Sequence, residues 1–232
     1  METTSTEIPD ANTSLAHWAT IRPAAVRVFL RHGLDFCCGG KAPLADACRA
    51  AGIDVERILA EIETESGRGS GDDERWDLRP VDALVDHIVT RYHETLRADL
   101  PALVEAARKV ERVHGDKASC PKGLADLLEA FRDETFAHLA KEEQVLFPAL
   151  RQGLRGPRLG MPITVMRHEH DEHGRRLHEL REKTGGYEPP PEACATWRAL
   201  YEGLARLDAE LMEHIHLENN VLFPRVLGGE GR

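Results

Sequence analysis

The sequence predicts an all-α protein: an up-down four-helix bundle preceded by a small helical N-terminal domain. Apolar residues recur at three- and four-residue intervals through four long segments, and no alternating strand pattern or hairpin signal stands out. Two stretches are near copies, His138-Leu-Ala-Lys-Glu142-Glu-Gln-Val-Leu-Phe-Pro148 and His214-Ile-His-Leu-Glu218-Asn-Asn-Val-Leu-Phe-Pro224. Short connections between consecutive helical segments make them antiparallel neighbours.

Composition sets the bounds. A chain of 232 residues with 41% hydrophobic and 30% charged content supports a real core and a soluble surface. A net charge of −10 argues against a nucleic-acid partner. No run of about 18 apolar residues exists, so no membrane span is expected. The start, Met1 to Asn12, lacks the basic and apolar parts of a secretory signal. Five cysteines is an odd count for a disulfide framework. The expected compartment is cytoplasmic, with thiols mostly reduced.

In chain order, residues 1–13 read as a disordered tail and 14–66 as a small helical domain. Ala24, Val28 and Phe29 mark its first apolar face. A loop follows, with Asp35-Phe-Cys37-Cys38-Gly-Gly40. The next helix starts near Pro43 and ends at Gly52, and Asp54 suits the N-cap of another reaching about Glu65. Residues 67–79 form a Gly-rich linker, and 80–228 the bundle.

The first bundle segment runs from Pro80 to about Arg112, with Leu84, Val85, Ile88, Val89, Tyr92, Leu96, Leu100 and Leu103 on its stripe. Pro101 is expected to kink it or stop it early. The second spans about 121–152, with Leu124, Leu127, Phe131, Val145 and Leu146 framing His138 and Glu142. The third spans 162–183, with Ile163, Met166, His170, His173, Leu177 and Leu180 in register. The fourth spans 191–227, with Trp197, Leu200, Leu204, Leu207, Leu211 and Ile215 beside His214 and Glu218.

The repeat extends beyond the motif. His93 precedes His138 by 45 residues, and His170 precedes His214 by 44. Each helix pair thus supplies one lone His and one His-x-x-x-Glu, whose i, i+4 spacing puts both groups on one face. Six inward groups meet at one level: His93, His138, Glu142, His170, His214 and Glu218. A buried unpaired charge costs several kcal/mol, so cations are needed among them. A single His on an apolar stripe is ordinarily a hydrogen-bonded core residue, but matched copies with matched offsets are not so explained. Four imidazoles and two carboxylates exceed one tetrahedral zinc and suit two ions bridged by both glutamates, with iron favoured and manganese second. His93 and His138 are expected to serve one ion, and His170 and His214 the other.

Other residues stay open. His173 reads first as packing, with a supporting or ligand role as the alternative. His168, His178 and His216 fall off the stripe and are expected to face water. Glu134 and Glu169 could line an entry path or relay protons, or form a solvated acidic face. The vicinal Cys37-Cys38 pair suggests metal capture or redox turnover, against a pair of buried structural thiols. Cys48, Cys120 and Cys194 read as ordinary small residues.

In combination, Asp35-Phe-Cys-Cys-Gly-Gly-Lys41, Arg91-Tyr-His93, Lys109-Val-Glu-Arg-Val-His114, Lys141-Glu-Glu-Gln-Val-Leu-Phe-Pro148, Glu169-His-Asp-Glu172, Pro189-Pro-Pro-Glu-Ala-Cys194 and Leu217-Glu-Asn-Asn-Val-Leu-Phe-Pro224 resemble the iron–sulfur cluster repair di-iron proteins of the ScdA/YtfE type, over about residues 15–228. The resemblance implies a haemerythrin-like bundle behind a short domain bearing the Cys-Cys pair. It implies a non-haem di-iron centre, carboxylate-bridged and open to an oxo bridge, on His93, His138, Glu142, His170, His214 and Glu218. It places Glu134 and Glu169 near that centre. The implied role is repair of clusters damaged by nitrosative or oxidative stress, by supplying iron to apo or damaged iron–sulfur proteins. Reduction of nitric oxide to nitrous oxide ranks second, and a dioxygen or nitric oxide sensor third. Gly174 stands one turn after His170, where oxygen-carrying haemerythrins have a second histidine, which counts against simple oxygen carriage. A homodimer stays open.

Overall fold

A computed structural model describes residues 9–68 and 74–228, and every regular element among them is helical. The chain divides into two compact units. One is Met1–Arg79 with His216–Leu222; the other is Pro80–Ile215 with Phe223–Arg232.

The first unit holds α1 (Leu15–Ile21), α2 (Pro23–His32), α3 (Leu44–Ala51) and α4 (Val55–Arg68). Ser14 caps α1 by accepting from the His17 amide at 3.2 Å. Pro23 opens α2, and Gly33 closes it with φ 64°, a left-handed conformation that costs glycine little. Gly52 ends α3 in the same way, as its sequence position predicts. α2 packs on α1 and α4, and α3 packs on α4. Trp18, Val28, Phe29, Phe36, Ile58 and Ile62 are buried. A fully buried side chain of this kind contributes roughly 1.5–3 kcal/mol. The expected tail and linker lie partly outside the described residues. Of the described parts, Asp10 accepts from the Asn12 and Thr13 amides, α4 reaches Arg68, and Trp76–Leu78 forms a 3-10 turn.

Asp35 shapes the cysteine loop. Its carboxylate accepts from the amides of Cys37 and Cys38 at 3.0 Å and of Gly39 at 2.9 Å. The Ala16 amide donates to the Gly40 carbonyl at 2.8 Å. A Cβ on Gly40 would lie 2.3 Å from the Phe36 carbonyl oxygen and 2.8 Å from the Ala16 methyl, so only glycine fits. From the turn Leu217–Leu222 and its flank, Asn220 Nδ2 donates to the carbonyls of Phe36 (3.3 Å) and Cys37 (3.1 Å) and lies 3.1 Å from His216 Nδ1. His216 is not at the water-facing position its spacing suggests. It is 3% exposed, edge-on to Phe36 with ring centres 5.5 Å apart, because this segment packs against the cysteine loop of its own unit.

The second unit holds α5 (Val81–His87), α6 (Glu94–His114), α7 (Leu124–Lys141), α8 (Phe147–Arg151), α9 (Gly160–Thr184), most of α10 (Ala195–His216) and α11 (Phe223–Leu227). α6 lies beside α7, through Arg108–Glu129 at 2.6 Å and Arg97–Glu143 at 2.8 Å. α7 lies beside α9, through Arg176–Glu134 at 2.6 Å. α9 meets α10 through Arg181 Nε and Asp208 at 2.6 Å. α10 returns to the first helix through Arg206–Asp99 at 3.1 Å and Arg91–Glu210 at 3.0 Å. In the pairs that can be compared, numbers rise on one helix as they fall on its neighbour, which is the up-down bundle. Pro101 does not stop α6, which continues to His114. Buried Leu96, Leu100, Leu103, Val104, Ala107 and Val110 hold it across the missing hydrogen bond.

Among the described residues three π-helical turns interrupt the rods, at Ile88–His93, Glu142–Leu146 and Leu217–Leu222. Such turns insert an extra residue and are frequent at functional sites. Pro148 and Pro224 have no N–H to offer the carbonyls four residues back, at Gln144 and Asn220, and both carbonyls lie in widened turns. The extra residue turns the following face by about 100°. Val145 is therefore 63% exposed rather than framing the site. On α7, ahead of that turn, Leu128 rather than Leu127 is fully buried, in helical register with Phe131, Thr135 and His138.

Candidate metal centre

Each π turn carries or abuts a donor. His93 ends the first, Glu142 begins the second after His138, and Glu218 lies in the third after His214. His170 comes from the middle of α9. All six side chains are at most 1% exposed. They fall into two sets of four, His93/Glu142/His214/Glu218 and His138/Glu142/His170/Glu218, with the donor atoms of each set within 4.8 Å of one another. Both glutamates belong to both sets.

This grouping corrects the pairing expected from sequence. His93 Nε2 lies 3.1 Å from His214 Nε2, and His138 Nε2 lies 3.1 Å from His170 Nε2. The imidazoles thus meet across the interface of the first and last rods and across that of the middle two. Glu142 Oε2 sits 3.5 Å from Nε2 of both His93 and His138, and so reaches across the two sets.

The donor chemistry fits cations. His93 Nδ1 lies 2.8 Å from Glu143 Oε1, and His138 Nδ1 lies 2.8 Å from Glu169 Oε2. A carboxylate can only accept there, so each ring carries its proton on Nδ1. The Nε2 lone pairs then point at another imidazole nitrogen and at a carboxylate oxygen. Against the carboxylate oxygen, 3.5 Å away, such a lone pair is repelled unless a positive charge stands between them. The alternative, extra protons on fully buried rings, costs several kcal/mol per charge. The centre is a metal-binding site.

The surroundings fix the rings. Phe147 stacks on His93 at 5.7 Å and Phe223 stacks on His170 at 5.9 Å. These are the phenylalanines of the two Val-Leu-Phe-Pro copies, so each repeat carries two donors and a clamp for the lone histidine of the preceding helix. Tyr92 stacks on His214 at 5.6 Å. His173 is 2% exposed, with its ring 4.9 Å from His138 and 5.7 Å from Phe131; it stands outside both donor sets and packs against one ligand ring.

Burial works against the Glu143 carboxylate, but hydrogen bonds from Arg97 and His93 outweigh it and hold the group below the usual range. Glu143 was not singled out in the sequence; its place directly after the motif glutamate was the only signal. Glu169, which was singled out, also receives Lys141. Glu134 belongs to neither donor set. Its carboxylate is 42% exposed and is held by Arg176 at 2.6 and 3.0 Å, because it faces α9 on the outer side. His168 and His178 are exposed, as expected. Cys37 and Cys38 lie in the cysteine loop of the first unit. Their sulfurs are 3.8 Å apart, and Cys37 Sγ donates to Asp35 at 3.2 Å. The Cys38 contact, burial and the Asp35 charge together push the Cys37 thiol well up, so it stays protonated. All five cysteines are free. No helix among the described residues is long and apolar enough to cross a membrane.

Residues 84–226 match the Hemerythrin HHE cation binding domain, and residues 11–66 match ScdA_N, a Domain of Unknown function (DUF542). Proteins named "Iron-sulfur cluster repair protein YtfE" from Citrobacter koseri, Escherichia coli O17:K52:H18 and Shigella boydii serotype 4 are each 47% identical over 208 residues, covering 90% of this chain and 93% of theirs. The chain belongs to the YtfE-type iron–sulfur cluster repair family, built on a haemerythrin HHE cation-binding domain.

Proposed function

We propose that this chain repairs damaged iron–sulfur clusters in the cytoplasm by donating iron, and that its metal site holds two non-haem iron ions. The observation that carries this is the pair of overlapping four-donor sets sharing Glu142 and Glu218, in a chain of this family. Mixed imidazole and carboxylate donors suit iron, which supplies transferable cation and redox chemistry when bound. His93, His138, His170 and His214 would present neutral Nε2 atoms, and Glu142 and Glu218 would bridge. Glu143 and Glu169 would hold two of the rings in the required tautomer. The phenylalanine clamps and the buried surroundings keep bulk water from the donors. The five free thiols accord with a reducing compartment. Residues 14–66 would form one domain and 80–228 the other, with Cys37 and Cys38 as the candidate handover point for iron.

Iron content and absorption-edge spectra of the purified chain test the centre; a single four-coordinate zinc would sink it. Transfer from loaded protein to an apo-cluster acceptor tests the role, and transfer no greater than from an equal amount of free iron would refute donation. Nitric oxide reduction is the second reading. Four protein donors per cation leave room for a small ligand, since iron commonly takes more than four. Nitrous oxide yield above that of a His93→Ala/His214→Ala variant would favour it.

A further inference from the structure

The bundle carries a second cluster of reactive groups near the start of α10. His114 Nε2 lies 3.2 Å from the Cys194 sulfur, although the two are 80 residues apart in sequence. The imidazole is 9% exposed and tilted over Trp197 at 5.2 Å, so packing fixes its position. Cys194 is exposed. Its carbonyl accepts from the Arg198 amide at 3.0 Å, which places it at the N-cap of a 22-residue helix. The Trp197 amide above all, then the Thr196 amide and the charge of Lys109, hold the thiol below its ordinary value against a smaller effect of burial. The remaining thiols differ. Contact with Cys38 and burial push Cys37 up, burial raises Cys48 and Cys120, and Cys38 is half-buried.

We propose that Cys194 and His114 form a nucleophilic thiol–imidazole site that undergoes exchange with small anionic disulfides of the glutathione class. The Cys194 sulfur gives its proton to His114 Nε2. The thiolate attacks one sulfur of the disulfide; a new S–S bond forms to Cys194 and the original S–S bond breaks. The departing thiolate takes a proton from the His114 imidazolium or from water. The Cys194 sulfur is oxidised, the departing sulfur is reduced, and no other oxidant is needed. Lys109 and Lys117 favour an anionic reagent: Lys109 acts on the sulfur, and Lys117 Nζ reaches the Glu192 carbonyl at 3.5 Å. The nearby Glu192 carboxylate accepts from the Ser119 hydroxyl at 2.5 Å and stays ionised, its charge offset by Lys117.

The test uses the reduced, metal-loaded full chain and oxidised glutathione at neutral pH, with the adduct located by peptide mass spectrometry. The expected product carries glutathione on Cys194, and Cys194→Ser loses that adduct. Each tenfold gain in thiolate raises an exchange rate by only about threefold, because nucleophilicity falls with basicity. Cys194 in the folded chain should therefore react with iodoacetamide faster than Cys194 in the urea-unfolded chain, by about threefold for each tenfold gain in thiolate. His114→Gln should lower the folded rate but leave the part supplied by the Trp197 and Thr196 amides and Lys109, and an unchanged rate overturns the role of His114. Should that variant not fold, the folded-against-unfolded comparison decides alone. A folded rate at or below the unfolded rate, or an adduct on Cys38 only, overturns the proposal.

Discussion

Replacing Glu143 by Gln isolates the contribution of a residue that touches no cation itself. Glu143 Oε1 receives both His93 Nδ1 and Arg97 Nη1 at 2.8 Å, and its side chain is 29% exposed. The amide keeps an acceptor for the ring but removes the negative charge behind it. The imidazole becomes a poorer donor and its orientation loosens. Loss of such a supporting partner typically weakens metal affinity about 10- to 100-fold, or roughly 1.4–2.7 kcal/mol. Competition with a coloured chelator measures the affinity directly. Glu134→Gln is the matched control, since it makes the same charge change at a carboxylate bound to Arg176 on the outer face. Glu169→Gln should resemble Glu143→Gln, because it stands behind His138 in the same way. Equal affinities for the Glu143 and Glu134 variants would refute the assignment of tautomer and of support.

The pairing of histidines can be read from stoichiometry: His93→Ala/His214→Ala should retain about half the metal, whereas His93→Ala/His138→Ala should lose most of it, because it removes one ligand from each set. Equal retention by the two double variants would favour a different grouping. Burial lowers His216 from 6.5 to about 4, so it stays neutral in the folded chain while the unfolded chain takes up its proton. Its contribution is complete above pH 6.5 and is lost as pH falls toward 4, by about 3 kcal/mol in all. Denaturant unfolding of chelator-treated protein should therefore show a steeper loss between those values for wild type than for His216→Leu, and parallel curves would count against it. Gly40→Ala should cost about 1–3 kcal/mol, since its methyl meets the Phe36 carbonyl, whereas Gly67→Ala, with open space on α4, should be neutral or stabilising. Indistinguishable unfolding midpoints for the two would remove the steric argument.

The helices, the six buried donors and the reading of a metal-binding site were legible in the residues alone. An i, i+4 spacing beside an apolar stripe fixes which side of a rod a group occupies, whatever the rod packs against. His138 with Glu142 and His214 with Glu218 are such pairs, and His93 and His170 repeat at matching offsets. Packing between rods decided the rest. His93 faces His214 rather than His138, and Glu143 and Glu169 stand behind the rings, because those contacts depend on how the helices dock against one another. Val145 turned outward because widened turns add a residue that a regular helical period does not contain. His216 turned inward, and His114 met Cys194, through contacts between segments distant in the chain. Sequence periodicity records a residue's angle about its own helix axis; the partner across the gap is set by the docking of separate helices, which no local pattern encodes.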